Sequence, residues 1–172
     1  MPSEEDPKLF ERTTVKGLRA VLSPRKSFDF SCTACGKCCR GPGSVYFTPD
    51  DLKAVEEHLG LDAAGKADLR GRLIQAEENG YYVHRAGGAC RLLGSDNRCT
   101  VYPVRPLQCR TYPFWPSSFV SRTDLEALAE ECPGTLKGKG RRYSLLSTAR
   151  RVNKTRRQFL EAQKEPDEHF MI

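Results

Sequence analysis

The sequence lacks the marks of an exported or membrane-spanning chain. None of its 172 residues lies in a run approaching the roughly 18 consecutive apolar residues that a transmembrane helix needs. The first residues, Met1–Pro7, are acidic and contain no apolar stretch, which is unlike a secretory signal and atypical of a transit peptide. We therefore expect a cytoplasmic protein with no membrane span, in a compartment that keeps thiols reduced.

Signatures of nucleotide binding and of hydrolytic catalysis are missing as well. The chain has neither a G-x-G-x-x-G turn opening a βαβ unit nor a P-loop, and no Ser/His/Asp arrangement can be assigned from spacing. The histidines, His58, His84 and His169, have no metal-ligand spacing to the cysteines. Each is expected to be structural or solvated. The sequence names no reaction, and whether the protein is an enzyme stays open.

Cysteine, by contrast, is abundant and unevenly placed. Four of the eight cysteines fall within eight residues, at Cys32, Cys35, Cys38 and Cys39. Free cysteine is common in cores but rarely clustered on one loop. Thiolates are soft ligands that select zinc, copper(I) or iron–sulfur clusters, so the pattern indicates a metal site. Disulfides are the alternative, but they would require export and different partners for two adjacent cysteines.

The other four cysteines are Cys90, Cys99, Cys109 and Cys132. Cys109 lies in the motif Y-P-V-R-P-x2-C-R-x-Y-P at 102–113. Together with C-x2-C-x2-C-C, this motif resembles the YkgJ-type CxxCxxCC cysteine-cluster family over about Cys32 to Gly134. That family is generally described as zinc- or iron-chelating. The resemblance implies a metal-binding domain and brings no settled reaction.

The spacing leaves two metals open. C-x2-C-x2-C begins ferredoxin cluster sites and favours an iron–sulfur cluster such as [4Fe–4S], although the ferredoxin x3-Cys-Pro ending is absent. A Cys₄ zinc site is the alternative, although the chain lacks the second C-x2-C knuckle of a zinc ribbon. Eight thiolates suffice for two four-ligand sites. One division by spacing is Cys32, Cys35, Cys38 and Cys132 against Cys39, Cys90, Cys99 and Cys109.

Several residues near the cysteines have two interpretations. Arg105 and Arg110 flank Cys109, and they either offset thiolate charge or form salt bridges on a loop. Lys37 has the same two interpretations. Aromatic residues interleaved with prolines either shield a cluster from water or form ordinary core, which we favour. They are Tyr102, Tyr112, Phe114 and Trp115.

The segment 137–157 is strongly basic. It holds nine Lys and Arg residues and no acid, and is the main source of the net charge of +6. It is suited to RNA, an acidic protein partner or a membrane surface, but a solvated helix face is the interpretation we favour. No nucleic-acid fold signature accompanies it.

Three functions follow. The main one is a metal-binding protein with cysteine-thiolate sites, most consistent with iron–sulfur. One alternative is a structural zinc module that uses 137–157 to contact nucleic acid or an acidic partner. The other is an iron–sulfur-dependent redox or modification enzyme.

The expected fold class is α+β: a small, irregular single domain of short helices and loops organised around a cysteine-ligated metal site. We divide it into an N-terminal extension at 1–27, a cysteine-cluster domain at 28–136 and a basic helical extension at 137–172. The expected elements are a strand at 44–47, a helix Pro49–Leu59 with a capping box from Thr48 and Asp51, a helix Ala63–Asn79, a strand at 81–84, a loop at 90–116, a helix Asp124–Glu131 capped by Thr123, and a helix from about Thr148 to Lys164.

Overall fold

The computed structural model describes residues 11–40, 44–73, 75–76, 82–85 and 88–162. Within these ranges the fold is α+β, as predicted. The elements in chain order are α1 (Val15–Leu22), β1 (Ser27–Phe30), β2 (Ser44–Phe47), α2 (Pro49–His58), α3 (Ala63–Asp68), β3 (Gln75–Ala76), β4 (Tyr82–Arg85), α4 (Leu107–Thr111), α5 (Arg122–Glu131), β5 (Arg141–Ser144) and α6 (Leu145–Ala162). None of the helices described is long and apolar enough to cross a bilayer.

The contacts group the chain into two compact units. The first unit contains Gly36–Arg110, and the second contains residues 11–35 and Thr111–Leu160. Each has its own apolar core. The predicted division of the chain into segments 1–27, 28–136 and 137–172 stays a prediction.

In the first unit, β4 lies between β2 and β3 in an antiparallel sheet. The predicted capping box of α2 is confirmed: the Thr48 hydroxyl accepts from the Asp51 N–H at 3.0 Å, and the Asp51 carboxylate accepts from the Thr48 N–H at 3.3 Å. The helix ends at His58, within one residue of the prediction, and Gly60 follows with a φ of +62°. Leu52 and Val55 of this helix are buried in the apolar core of the first unit.

The predicted helix Ala63–Asn79 is wrong in its second half. The α-helix ends at Asp68, a π-helical turn covers Leu69–Leu73, and Gln75–Ala76 pair with β4 as a strand. Pairing with the nearby strand β4 overrides local helix propensity here. Residues 77–80 of that helix lie outside the described residues, as does Tyr81 of the predicted strand, which is observed at Tyr82–Arg85.

The second unit contains three elements that the sequence analysis did not predict: α1, β1 and β5. The strands β1 and β5 pair antiparallel with Phe28 opposite Tyr143. Leu18 and Leu22 of α1 are buried in the same core as Phe28. The hydroxyl of Thr14 accepts from the Gly17 N–H at 3.0 Å and caps α1.

The remaining helices are close to their predicted positions. The cap of α5 is Ser121, which accepts from the Asp124 N–H at 3.2 Å, so the prediction of Thr123 is wrong and the helix begins earlier, at Arg122. The long helix α6 begins directly after β5, three residues before Thr148, and its predicted end at Lys164 lies outside the described residues. The stretch 90–116 is mostly loop, as predicted, with short helices at 102–104 and 107–111.

Candidate metal centre

The cysteine loop turns at Gly36, which has a φ of +70° and is buried. A side chain is strained at this φ, so the turn favours glycine, whereas the guanidinium of Arg40, 2.5 Å from where a Cβ would lie, could move aside. A 3₁₀ turn over Lys37–Cys39 follows and brings the sulfur atoms of Cys38 and Cys39 within 3.9 Å of each other. The two adjacent thiols therefore share one small region, despite successive side chains diverging from the backbone.

Backbone hydrogen bonds bring the loop at 90–99 to this turn. The N–H of Cys90 donates to the carbonyl oxygen of Cys39 at 2.6 Å. Within the loop, Leu93 and Cys99 form an antiparallel bridge, which closes it as a hairpin. Main-chain contacts thus position Cys39, Cys90 and Cys99.

Two polar side chains that the sequence analysis gave no role reinforce this arrangement. The guanidinium of Arg40 donates to the side-chain oxygen of Asn97, tying the cysteine turn to the hairpin tip. Gln108 accepts from the Tyr46 N–H and donates to the Ser44 carbonyl, both at 3.1 Å. Gln108 therefore fixes the position of α4, and with it the neighbouring Cys109, against the edge of β2.

The thiols of the first unit influence one another electrostatically. Burial, and after it the nearby Cys90 and Cys99, raise the pKa of Cys109 to about 12. Burial also raises the pKa values of Cys90 and Cys99. A thiolate at one of these cysteines therefore disfavours a second one nearby, and a compensating positive charge would favour several at once.

Backbone donors oppose this effect at two positions. The N–H of Leu92 bonds the Cys90 thiol, and the N–H of Val101 bonds the Cys99 thiol, and each bond lowers the pKa of its cysteine. Both donors lie two residues after the sulfur they contact. Such bonds stabilise a thiolate, the form that binds metal.

The pKa values of the adjacent thiols Cys38 and Cys39 shift in opposite directions. A hydrogen bond from Cys39 is the largest cause that lowers the pKa of Cys38, to about 6; Arg105 also lowers it, and burial opposes the shift. The same bond raises the pKa of Cys39. The two thiols are thus expected to share one proton, with Cys38 the more acidic of the pair.

The three remaining cysteines belong to the second unit. The N–H of Ser31 donates to the Gly134 carbonyl at 3.0 Å, and Phe30 bridges Thr135 in antiparallel register. This register places Cys32 beside the segment that begins at Cys132. Cys35 and Cys32 are exposed on the loop that follows β1, and Cys132 is half-buried at the end of α5.

The predicted division of the cysteines between two metal sites stays a prediction. It assigns Cys38 to the site of Cys32, Cys35 and Cys132, whereas the structure places Cys38 in the first unit with Cys39, Cys90, Cys99 and Cys109. The spacing alone could not show where the chain passes from one unit to the other. That all eight cysteines are ligands stays a prediction.

The two arginines beside Cys109 have different roles. Arg105 lowers the pKa values of Cys38, Cys99 and Cys109, and so offsets thiolate charge. Arg110 forms a salt bridge at 3.0 Å to the nearly buried Asp51. Each of the two predicted interpretations thus holds for one arginine.

The aromatic residues also divide. Phe114 belongs to the core of the second unit, with Tyr112 packed against it, and the rings of Tyr112 and Trp115 meet edge to face at 5.2 Å. Tyr102 is 52% exposed, with Arg105 stacked 3.7 Å from its ring centroid. Core packing, the interpretation we favour from the sequence, holds for Phe114 and Tyr112 but not for the exposed Tyr102.

The histidines are placed in different surroundings. His84 is buried, with its Nε2 accepting from the Arg91 N–H at 3.4 Å, whereas His58 is exposed. His169 lies outside the described residues.

Among the described residues, no group of three or more His, Cys, Asp or Glu side chains is arranged to hold a metal ion as the chain stands.

Comparison with protein families agrees with the chemistry of this donor set. Residues 31–133 match the family model CxxCxxCC, described as "Putative zinc- or iron-chelating domain". The match covers more than half of the chain, which therefore belongs to this family of metal-binding cysteine-cluster domains. No solved structure matches the chain.

The donor set fits a thiolate-bound metal. All eight cysteines are free thiols, and five of them lie together in the first unit. Main-chain N–H donors already contact two of these sulfurs, and a cation, Arg105, offsets their charge. A bound metal would supply the positive charge that the crowded thiolates lack.

Proposed function

We propose that this chain is an iron–sulfur protein whose cluster is held by cysteine thiolates. The observation that carries the proposal is the grouping of Cys38, Cys39, Cys90, Cys99 and Cys109 in one unit. Four cysteine thiolates are the ligand set of a [2Fe–2S] or [4Fe–4S] cluster, and this unit offers that number with one thiol to spare. An iron–sulfur cluster, when bound, supplies reversible one-electron chemistry.

The residues around the thiols have separable tasks in this proposal. Cys90, Cys99 and Cys109 act as ligands, together with Cys38, which the hydrogen bond from Cys39 and the charge of Arg105 hold as a thiolate. The N–H groups of Leu92 and Val101 stabilise charge on sulfur, which raises the reduction potential of thiolate-bound centres in general.

Structural zinc is the second candidate. It is supported by the N–H bonds to Cys90 and Cys99, because a donor two residues after the ligand is equally suited to a zinc thiolate. A zinc site predicts a colourless protein that unfolds when the metal is chelated. In either case free thiols point to a reducing compartment, which we propose to be the cytoplasm.

Counting metal in single variants tests the ligand assignment. Cys90→Ser and Cys132→Ser each remove one thiol from a different unit, and Ser95→Ala, on the same loop as Cys90, is the control. We expect Cys90→Ser to lose iron and sulfide together, and Ser95→Ala to keep both. If Cys90→Ser retained the full metal content, the first-unit thiols would not be the ligands. If both cysteine variants lost all metal, the chain would hold one centre instead of two.

A further inference from the structure

The outward side of α6 carries a stripe of cations. Arg150, Lys154 and Arg157 are exposed and recur at intervals of four and three residues, so their side chains lie one above the other on the helix. The opposite side of the helix is buried, with Thr148 and Val152 fully covered. The stripe is therefore the part of α6 that points away from the core of the second unit.

Two more arginines are held beside the stripe by aromatic rings. The guanidinium carbon of Arg151 lies 4.9 Å from the ring centroid of Tyr143 and 5.4 Å from that of Phe114. The guanidinium carbon of Arg141 lies 5.3 Å from the Tyr143 centroid. These cation–π contacts hold both cations near one position before any ligand arrives. We call the five cations the basic ridge: Arg141, Arg150, Arg151, Lys154 and Arg157.

Among the residues the structure describes, no carboxylate pairs with the basic ridge. The sequence has no Asp or Glu between Lys137 and Arg157. Among the described residues, the ion pairs are Arg70–Glu56, Arg110–Asp51 and Arg122–Glu126, and none involves the basic ridge. Like charges three or four residues apart on a helix repel and destabilise it. A surface that served only solubility would interleave both signs, so the basic ridge indicates a polyanionic ligand.

We propose that the basic ridge binds the phosphate backbone of double-stranded DNA without reading its sequence. The stripe spans about 10 Å of helix, and the B-form major groove, about 12 Å wide, admits an α-helix, whereas the A-form groove of duplex RNA is too narrow. The aromatic ring beside the ridge, that of Tyr143, is half-buried and already covered by Arg141 and Arg151, so it offers no free face on which single-stranded bases would stack. This site is independent of the cysteines and of the metal they bind.

Fluorescence anisotropy of the full, metal-loaded chain with a labelled duplex DNA of about 24 base pairs tests the proposal. Between about 50 and 200 mM salt, log K should fall linearly with log salt concentration as counterions are released. The variant Arg150→Gln/Lys154→Gln should bind roughly tenfold more weakly and lower the slope by about 2. The control Lys53→Gln/Lys66→Gln removes the same charge from the first unit and should bind as the native chain does.

The outcomes separate the proposal from its alternatives. Because the ridge variant relieves repulsion, its melting temperature should equal or exceed that of the native chain, so weaker binding would not reflect unfolding. Absence of DNA binding at about 50 mM salt would overturn the proposal. So would equal or tighter binding of duplex RNA, of polyglutamate or of anionic vesicles, which would indicate an RNA, an acidic protein or a membrane as the ligand. Equal weakening in the control would show that net charge alone is responsible.

Discussion

The backbone N–H of Ser31 donates to the carbonyl oxygen of Gly134 at 3.0 Å, and this bond places Cys32 beside the segment that carries Cys132. The two cysteines are 100 positions apart in the sequence. A Cβ at Gly134 would lie 2.0 Å from the Ser31 oxygen, so only glycine allows the approach. The placement of Cys32 near Cys132 therefore depends on this close approach of two backbone segments.

Gly134→Ala should destabilise the protein and lower its metal content. The added methyl group meets rigid backbone, so we expect a loss of about 1–3 kcal/mol in the free energy of unfolding, measured by denaturant titration. Gly88→Ala is the control, because no atom lies within 4 Å of the Cβ it would add. Equal stability of the two variants would contradict the close approach.

In the metal-free chain, Cys38 should react with iodoacetamide much faster than Cys109. At pH 7 a thiol with a pKa of about 6 is mostly thiolate, and one with a pKa of about 12 is not, so we expect at least a roughly 100-fold difference. Labelling of Cys38, followed by peptide mass spectrometry, should decline as the pH falls through 6.

Variants identify the source of this reactivity. Cys39→Ala removes the hydrogen bond that lowers the pKa of Cys38 most, so the midpoint of Cys38 labelling should move to higher pH. Arg105→Gln should move it in the same direction by less, because the charge of Arg105 is a smaller cause. Arg110→Gln, whose guanidinium pairs with Asp51, should leave it in place. An unchanged midpoint in Cys39→Ala would contradict the assignment of donor and thiolate.

The ion pair of Glu56 and Arg70 should contribute measurably to stability. The Glu56 side chain is only 3% exposed and accepts two hydrogen bonds from Arg70, at 2.6 and 3.0 Å. Arg70→Gln leaves that carboxylate buried without its cation, and we expect a cost of about 1–3 kcal/mol, limited by the half-exposure of Arg70. Arg122→Gln breaks an exposed pair with Glu126 and should cost less than about 0.5 kcal/mol. If both variants lost similar amounts of unfolding free energy, the burial of Glu56 would not make its ion pair the stronger one.

The helix α1 should be essential to the core of the second unit. Leu18 is 0% exposed beside Phe28, so Leu18→Ala should cost about 2–5 kcal/mol in thermal or denaturant unfolding. Leu59→Ala removes a leucine that is 36% exposed and should cost far less. If Leu18→Ala were no more harmful than its control, residues 1–27 would be the dispensable extension that composition suggests.

The sequence predicted the elements that local signals specify. Thr48, Pro49 and Asp51 define the start of α2 within one turn, so the capping box could be read directly. The sequence could not predict β1 and β5, because each strand is stabilised by a partner more than 100 residues away. The second half of the helix predicted from Ala63 failed for a different reason: Gln75–Ala76 pair with the nearby strand β4, and this pairing overrides a helical pattern of apolar residues.

The candidate site shows the same contrast. The residue types and the C-x2-C-x2-C-C spacing predicted a thiolate metal site, which membership in the CxxCxxCC family confirms at the level of metal binding. The sequence could not show that Cys38 groups with Cys90, because that depends on the turn at Gly36 and on a bond from Cys90 to Cys39. Nor could it distinguish Arg105 from Arg110, whose difference arises from the position of Asp51.

Metal and acid-labile sulfide analysis of anaerobically purified protein, with a visible absorption spectrum, tests the central claim most directly. We predict a brown protein in which iron and sulfide are present in matching amounts, because the clustered thiolates suit an iron–sulfur centre. Stoichiometric zinc without sulfide or colour would contradict the iron–sulfur proposal and make the site structural. Protein that binds neither metal would contradict the metal centre itself.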